Sequence, residues 1–290
     1  MFTGTILLLG GTGKVAREIA PLLYPTYPVV IASRSGSSSD SAKYTGVKFD
    51  WHDESTWDAA LSAGPTPVSS VWIVVPGMLE PGPVARKFIG LARQKGAIRF
   101  VLLSSSQVED GGPAMGQIHQ YLRELGDKAE AEWAVLRPTW FQENFSDHEN
   151  HFKSIKEENK IYSATGSGKV PWVSTRDIAA VAHHALTTAE APNREFLILG
   201  GKLYTHKDLA QIFTEVLGRE IVYAELSEDE LAHRHGKFGM PAQYASILAA
   251  MDTIIKHGGE DRLDDTVLTV TGKKPRSFRE FVDENKVIWQ

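Results

Sequence analysis

The residues best suited to hold a charged ligand stand near the start of the chain. Gly10, Gly11, Thr12, Gly13 and Lys14 follow the apolar run Thr5–Leu9 and lead into Val15 and Ala16. The segment fits GxxGxxA from Gly10 or GxGxxA from Gly11, and either spacing makes the turn of a dinucleotide-binding βαβ unit. Glycines let the backbone come close to a pyrophosphate, while the helix that follows aims its unpaired amides and the positive end of its dipole at the anion. A Walker A loop is excluded, because it needs glycine where Leu8 stands and serine or threonine where Val15 stands. About 20 residues beyond the glycines, where an acidic residue would hold the ribose hydroxyls of NAD, the chain has Ser33 and Arg34. A planar, permanently charged guanidinium suits a 2′-phosphate and stacking on adenine, so the cofactor expected is NADP(H).

The residues for proton transfer are less complete. Many ketone-reducing dehydrogenases pair tyrosine with a lysine four residues on, which lowers the hydroxyl pKa. That spacing occurs here only at Tyr44 and Lys48, far from the expected helix; at the expected place Tyr121 is followed by Leu125 where the lysine would stand. His119 on the same stretch is the nearest remaining proton carrier, since imidazole titrates near neutral pH. Ser105 is a candidate to orient a substrate carbonyl, together with Ser106. Trp140 offers a flat aromatic face for an indole or a cation, with Phe141, Phe145, Tyr162 and Trp172 as further aromatic surface. The histidine pairs His148/His151, His183/His184 and His233/His235 lack converging ligands at metal spacing and are expected on solvated helix faces, so no metal site is expected.

These groups must be positioned by a parallel sheet. Short apolar runs alternate with helix-length amphipathic stretches, the pattern of strands buried on both faces. Strands are predicted at Thr5–Leu9, Val29–Ala32, Val47–Phe49, Ser70–Val75, Ile98–Leu103, Trp133–Leu136 and Phe196–Leu199, and helices at Val84–Gln94, Ile118–Leu125 and Ile178–Thr187. Ser174 and Asp177 have capping-box spacing before the last of these. Pro21 predicts that the first helix ends or kinks near Ala20. Ser33–Ser41 is the one low-complexity stretch. The fold class expected is α/β: a Rossmann-like, doubly wound parallel sheet with a smaller, mainly helical C-terminal subdomain on the substrate side. The NADP-binding domain is expected over residues 1–150, completed by 173–200, and the substrate-side subdomain over 151–172 and 201–290, with helices such as Lys207–Leu217, Ala242–Lys256 and Phe278–Asn285.

Composition narrows the function. The 290 residues carry 31 Lys+Arg against 36 Asp+Glu, a net charge of −5 with the basic residues scattered, which argues against a nucleic-acid partner. Without cysteine there is no thiolate nucleophile, disulfide or zinc-thiolate site. Met1–Leu9 lacks the charged leader of a signal peptide, and no run reaches the roughly 18 apolar residues of a membrane span, so a cytoplasmic chain without a membrane partner is expected.

GGTGK at Gly10–Lys14, FVLLSSS at Phe100–Ser106, VLRPTWFQENF at Val135–Phe145 and GSGKVPWVSTRDIAAVAHHAL at Gly166–Leu186 together resemble the NmrA-like branch of the short-chain dehydrogenase/reductase superfamily. FDWHDESTW at Phe49–Trp57, GGPAMG at Gly111–Gly116, EWAVLRPTWFQENF at Glu132–Phe145 and KIYSATGSGKVP at Lys160–Pro171 are most similar to the fungal festuclavine synthase and agroclavine dehydrogenase group of prenylated indole (ergot) alkaloid enzymes. The resemblance implies NADP(H) across the carboxyl edge of the sheet. Asp50 and Trp51 would flank the adenine, and Pro76, Gly77, Ser104 and the Pro138–Thr139 turn would face the ribose and nicotinamide.

The function implied is an NADP(H)-dependent oxidoreductase of alkaloid secondary metabolism, transferring hydride to an iminium or imine of a small prenylated indole, with a homodimer left open. An iminium carbon is already electrophilic, so the absent tyrosine–lysine pair is no obstacle. Two alternatives stand beside it. One is a redox-assisted cyclase, which uses the same hydride step before a Diels–Alder-type ring closure. The other is a non-catalytic NADP(H)-sensing regulator.

Overall fold

The computed structural model describes residues 4–78 and 80–290, so the first three residues of the run Met1–Leu9 lie outside the described residues. Nine strands occur among them: β1 (Thr5–Leu9), β2 (Val29–Ser33), β3 (Thr45–Lys48), β4 (Val68–Ile73), β5 (Arg99–Leu103), β6 (Glu132–Pro138), β7 (Lys160–Ser163), β8 (Arg194–Ile198) and β9 (Val222–Glu225). Seven form one parallel sheet in the order β3-β2-β1-β4-β5-β6-β8, and β7 pairs with β9 in a separate parallel pair. β1 and β2 are buried at every position, as strands covered on both faces must be. The doubly wound architecture expected from the alternating pattern is therefore present.

The chain divides into two compact units. The first takes residues through Pro138 with Thr175–Ile198 and Thr269–Gly272, and holds the seven-stranded sheet. Strand order reverses between β1 and β4, the topological switch point where ligands of such sheets bind. One face of its core carries four aromatics meeting edge to face, among them Trp57 and Phe88 at 5.6 Å and Phe49 and Trp51 at 5.2 Å. Arg99, fully buried on β5, pairs with Glu132 at 2.6 Å and donates to the carbonyls of Ala185 and Thr188, fastening the end of the helix Thr175–Thr187 to the sheet.

Most strands fall within two residues of their predicted places; β4 and β8 begin earlier because Val68 and Arg194 pair with their neighbours before the apolar run starts. Pro21 does not end the first helix, which runs from Lys14 to Leu23. The proline sits in its final turn, so only the last few residues lie beyond the break in the hydrogen-bond ladder, and the Tyr24 amide still reaches the Ala20 carbonyl at 3.2 Å.

The second unit takes Thr139–Ser174, Leu199–Leu268 and Lys273–Gln290. Its helices His206–Leu217 and Phe278–Asn285 each open with a complete capping box, from Thr205 with Asp208 and from Ser277 with Glu280. They enclose a core in which Phe145, Phe213, Phe278, Phe281 and Trp289 are all 0–1% exposed. The pair β7/β9 was not anticipated, because each strand has only four residues, too few for alternation to stand out. Among the described residues no helix is long and apolar enough to cross a membrane.

Trp289 anchors this core: its indole lies 4.9 Å from Phe213 and 5.9 Å from Phe281, and its N–H donates to the Phe145 carbonyl at 3.0 Å. Trp289→Ala is expected to cost about 3–5 kcal/mol of stability, the range for deleting a buried aromatic. Urea unfolding followed by circular dichroism measures it.

Candidate functional site

The glycine turn opens onto a cleft of about 390 Å3 in the first unit, at the carboxyl ends of β1, β2 and β4. Gly10, at φ +60°, Thr12 and Gly13 form its floor. Gly11 lies beneath them: a Cβ there would stand 2.7 Å from Ile31 Cγ2 and 2.9 Å from the Leu8 carbonyl, so a side chain cannot be fitted without moving the sheet. The Gly13 amide donates to Gly10 O at 2.8 Å, which tightens the turn, and no side chain caps the helix that begins at Lys14. The first amides of a helix have no intrahelical partner, so this end suits an anion.

Ser33 and Arg34 line the same cleft. The Ser33 hydroxyl is held among Ser35 Oγ and Ser37 O, each at 3.2 Å, whereas Arg34 is exposed and forms no ion pair among the described residues. On the opposite side stand Asp50, Trp51 and Pro76. The Asp50 carboxylate accepts the His52 amide at 2.9 Å, and Trp51 is largely core, its N–H donating to Val74 O at 2.9 Å. Eight of the twelve cofactor residues read from the sequence are thus gathered in one cleft. Lys14, Gly77, Ser104 and Pro138 are not on its wall. Lys14 begins the helix, Gly77 is exposed after β4, and Pro138 ends β6 and accepts the Ser106 amide. Ser104, just past β5, carries a buried hydroxyl with no hydrogen-bond partner among the described residues.

The Ser105 hydroxyl oxygen accepts the Gln107 amide at 3.5 Å, a local turn contact. His119 lies inside the first unit, 2% exposed, with its ring 5.5 Å from Trp133 and Nε2 3.8 Å from the Glu195 carboxylate. Burial pushes its pKa below the ordinary 6.5. Arg137 Nη1 already donates to both oxygens of Glu195, and the rest of the guanidinium reaches Glu109 and the Ser105 and Ser106 carbonyls. His119 lines neither this cleft nor the cavity described next.

Trp140 belongs to the second unit and lines a cavity of about 510 Å3 there, with Trp172 and Tyr162. Phe145 offers no free face; it is fully buried against Trp172, Phe213 and Phe278. Three of the histidines expected on solvated faces line this cavity: His148 is exposed as expected, His151 is half-buried and His235 is buried. His235 is buried because the helix Glu228–Lys237 turns it inward, where Nδ1 meets Asn150 Nδ2 at 3.1 Å. Among the described residues no three His, Asp or Glu side chains converge as a metal site.

Two wall residues went unread in the sequence. His206 begins a helix and is hydrogen-bonded to Thr165 Oγ1 at 2.8 Å, and complete burial lowers its pKa to about 4. Asp252, in the helix Ala242–Lys256, accepts the Ala164 amide at 2.9 Å, and burial raises its pKa to about 6. The signal for Asp252 was present: it is the one acid in AQYASILAAMDTIIK, and it falls on the face with Ala245, Ala249 and Ile255.

The NmrA-like family model matches residues 115–282, more than half of the chain. The chain belongs to the NmrA-like family. This NmrA-like chain is 44% identical over 289 residues to the agroclavine dehydrogenase of Claviceps fusiformis, covering 98% of both proteins. It is 41% identical to festuclavine synthase II of Penicillium roqueforti, covering 98% of this chain and 99% of the relative. In fold it is similar to the NADPH-dependent quinone oxidoreductase of Escherichia coli complexed with NADPH, with a TM-score of 0.80 at 21% identity over 97% of this chain and 99% of that one.

The two shifted groups oppose each other in stability. Between pH 6.5 and about 4 the unfolded chain binds a proton at His206 that the folded chain refuses, so acidification removes on the order of 3 kcal/mol across that window. Asp252 runs the other way: its folded pKa of about 6 exceeds the ordinary 3.8, so the cost of its buried charge is relieved as pH falls from 6 towards 4. Asp252→Asn is expected to be more stable than wild type by roughly 2–3 kcal/mol at pH 7, with the two curves converging near pH 4. Urea titrations at half-unit pH steps read both limbs.

Proposed function

We propose that this protein is an NADP(H)-dependent oxidoreductase that transfers hydride to the iminium or imine carbon of a prenylated indole alkaloid. The observation that carries the reading is the near-full-length identity with relatives named agroclavine dehydrogenase and festuclavine synthase. The cofactor half is supported by the cleft, where a turn with glycine at positions 10, 11 and 13 shares the wall with an exposed arginine, Arg34, that forms no ion pair among the described residues.

The residues fit such a cofactor. Gly10–Gly13 and the uncapped helix start would hold the pyrophosphate, and a Cβ on Gly13, 3.0 Å from Gly10 O, would crowd that cradle. Arg34 with Ser33 would take the 2′-phosphate, and Asp50 and Trp51 the adenine end. Pro76, Gly77 and Pro138 would bound the nicotinamide end, where the unsatisfied Ser104 hydroxyl is a donor without a partner. NADPH, when bound, supplies the hydride.

Hydride addition to a preformed cation consumes no proton, so the site needs orientation and exclusion of water rather than an acid. That agrees with the absent tyrosine–lysine pair. It also gives His119 a part in packing: its burial favours the neutral ring, and its nearest carboxylate is committed to Arg137.

Stopped-flow fluorescence of NADPH mixed with enzyme and a 3,4-dihydro-β-carbolinium tests the reading. Oxidation of NADPH with deuterium delivered from labelled cofactor to the iminium carbon is expected; tight NADPH binding without turnover of any iminium would favour the sensor instead. Arg34→Ala is expected to weaken NADPH by about 1.5–3 kcal/mol while leaving NADH nearly unchanged, and equal loss for both cofactors removes Arg34 from the 2′-phosphate. His119→Gln is expected to keep the single-turnover rate within about tenfold, whereas a general acid would lose roughly 100- to 1,000-fold.

A further inference from the structure

We propose that the cavity of the second unit binds an organic cation, with the Asp252 carboxylate as counter-ion to a protonated or iminium nitrogen. The inference rests on the proposed function and deepens it, since it assigns the group that would recognise a cationic alkaloid.

Asp252 is 9% exposed and lines the cavity. One carboxylate oxygen accepts the Ala164 amide; no other hydrogen bond and no ion pair reaches the carboxylate among the described residues. A single amide donor does not require a charged acceptor, because an asparagine carbonyl would serve it equally. A buried carboxylate with one partner is costly, and burial without a compensating cation is what displaces its pKa. The charge is thus a cost to the ligand-free fold that a bound cation would offset.

The surroundings favour positive over negative ligands. No lysine or arginine lines the cavity; Asp147 and Glu149 do, both exposed, with Glu149 paired to Lys153 at 3.0 Å. The buried histidines His206 and His235 are held towards their neutral forms and so do not repel a cation at neutral pH. Trp140 and Trp172, with ring centres 6.3 Å apart, supply the indole surfaces that attract a cation and cover an aromatic ring system. The cavity volume of about 510 Å3 is in the range that holds a small polycyclic ligand.

The test uses the full chain and two probes of similar shape, N,N-dimethyl-tetrahydro-β-carbolinium and the neutral N-acetyl-tetrahydro-β-carboline, each titrated by calorimetry at pH 7.5. Wild type is expected to bind the cation at least tenfold tighter than the neutral probe. Asp252→Asn should bring the two within threefold by losing the cation while keeping the neutral probe, whose retained binding also reports a folded cavity. Asp229→Asn, an exposed acid elsewhere in the same unit, should leave the wild-type preference intact. A wild-type preference below threefold overturns the proposal without any variant. So does an unchanged preference in Asp252→Asn, or an equal loss in Asp229→Asn, which would mean a diffuse field. Charge selectivity through Asp252 in a protein that fails to oxidise NADPH with the iminium would sink the oxidoreductase reading and leave this one standing.

Discussion

The chain can pass from β1 into its first helix only because no side chain stands at position 11. Any Cβ there would press on Ile31 in the neighbouring strand and on the carbonyl of Leu8, so the turn, the β1–β2 pairing and the helix entry are one steric solution. β1 also pairs with β4, which makes it the strand on either side of which the sheet order reverses. The cleft follows from this placement: the uncapped helix start, the end of β2 with Arg34 and the end of β4 with Pro76 converge where the glycines leave room.

Two buried arginines tie the strands of the first unit to its helix ends and loops. Arg99 spends its donors on Glu132 and on the carbonyls closing the helix Thr175–Thr187. Arg137 joins β6 to Glu195 on β8 and to the backbone just beyond β5. Each guanidinium meets both carboxylate and carbonyl partners, the condition under which a buried charge is tolerated. His119 sits at the margin of the second network, where its ring fills space beside Trp133 and its charge is disfavoured.

Local rules made the first unit legible. Most of its strands are apolar runs and its turn is a motif whose steric reason is contained in a few consecutive residues, so β1, the glycine turn and the end of β2 with Arg34 followed from the residues themselves, whereas Asp50, Trp51 and Pro76 entered only through the family resemblance. The second unit resisted because its site is built from residues with competing local meanings. His206 stands just before the predicted helix Lys207–Leu217, His235 is one of a pair expected on a solvated face, and Asp252 is the one acid within the predicted helix Ala242–Lys256. Only tertiary packing turns all three onto the same cavity. Pro21 lies in the last turn of the first helix, which ends at Leu23, a few residues past the expected end near Ala20.

The wall of that cavity is assembled from distant stretches of chain, with Trp140 and Tyr162 from one, His206 from a second and Asp252 from a third. The helix carrying His206 is secured by its own capping box, and Ile255, in the same helix as Asp252, belongs to the Trp289 cluster. Ligand preference is therefore divisible: exchange of one wall residue alters one face of the cavity and leaves the supporting helices intact. Descendants of this fold can change what they recognise by single replacements, while the glycine turn admits almost none.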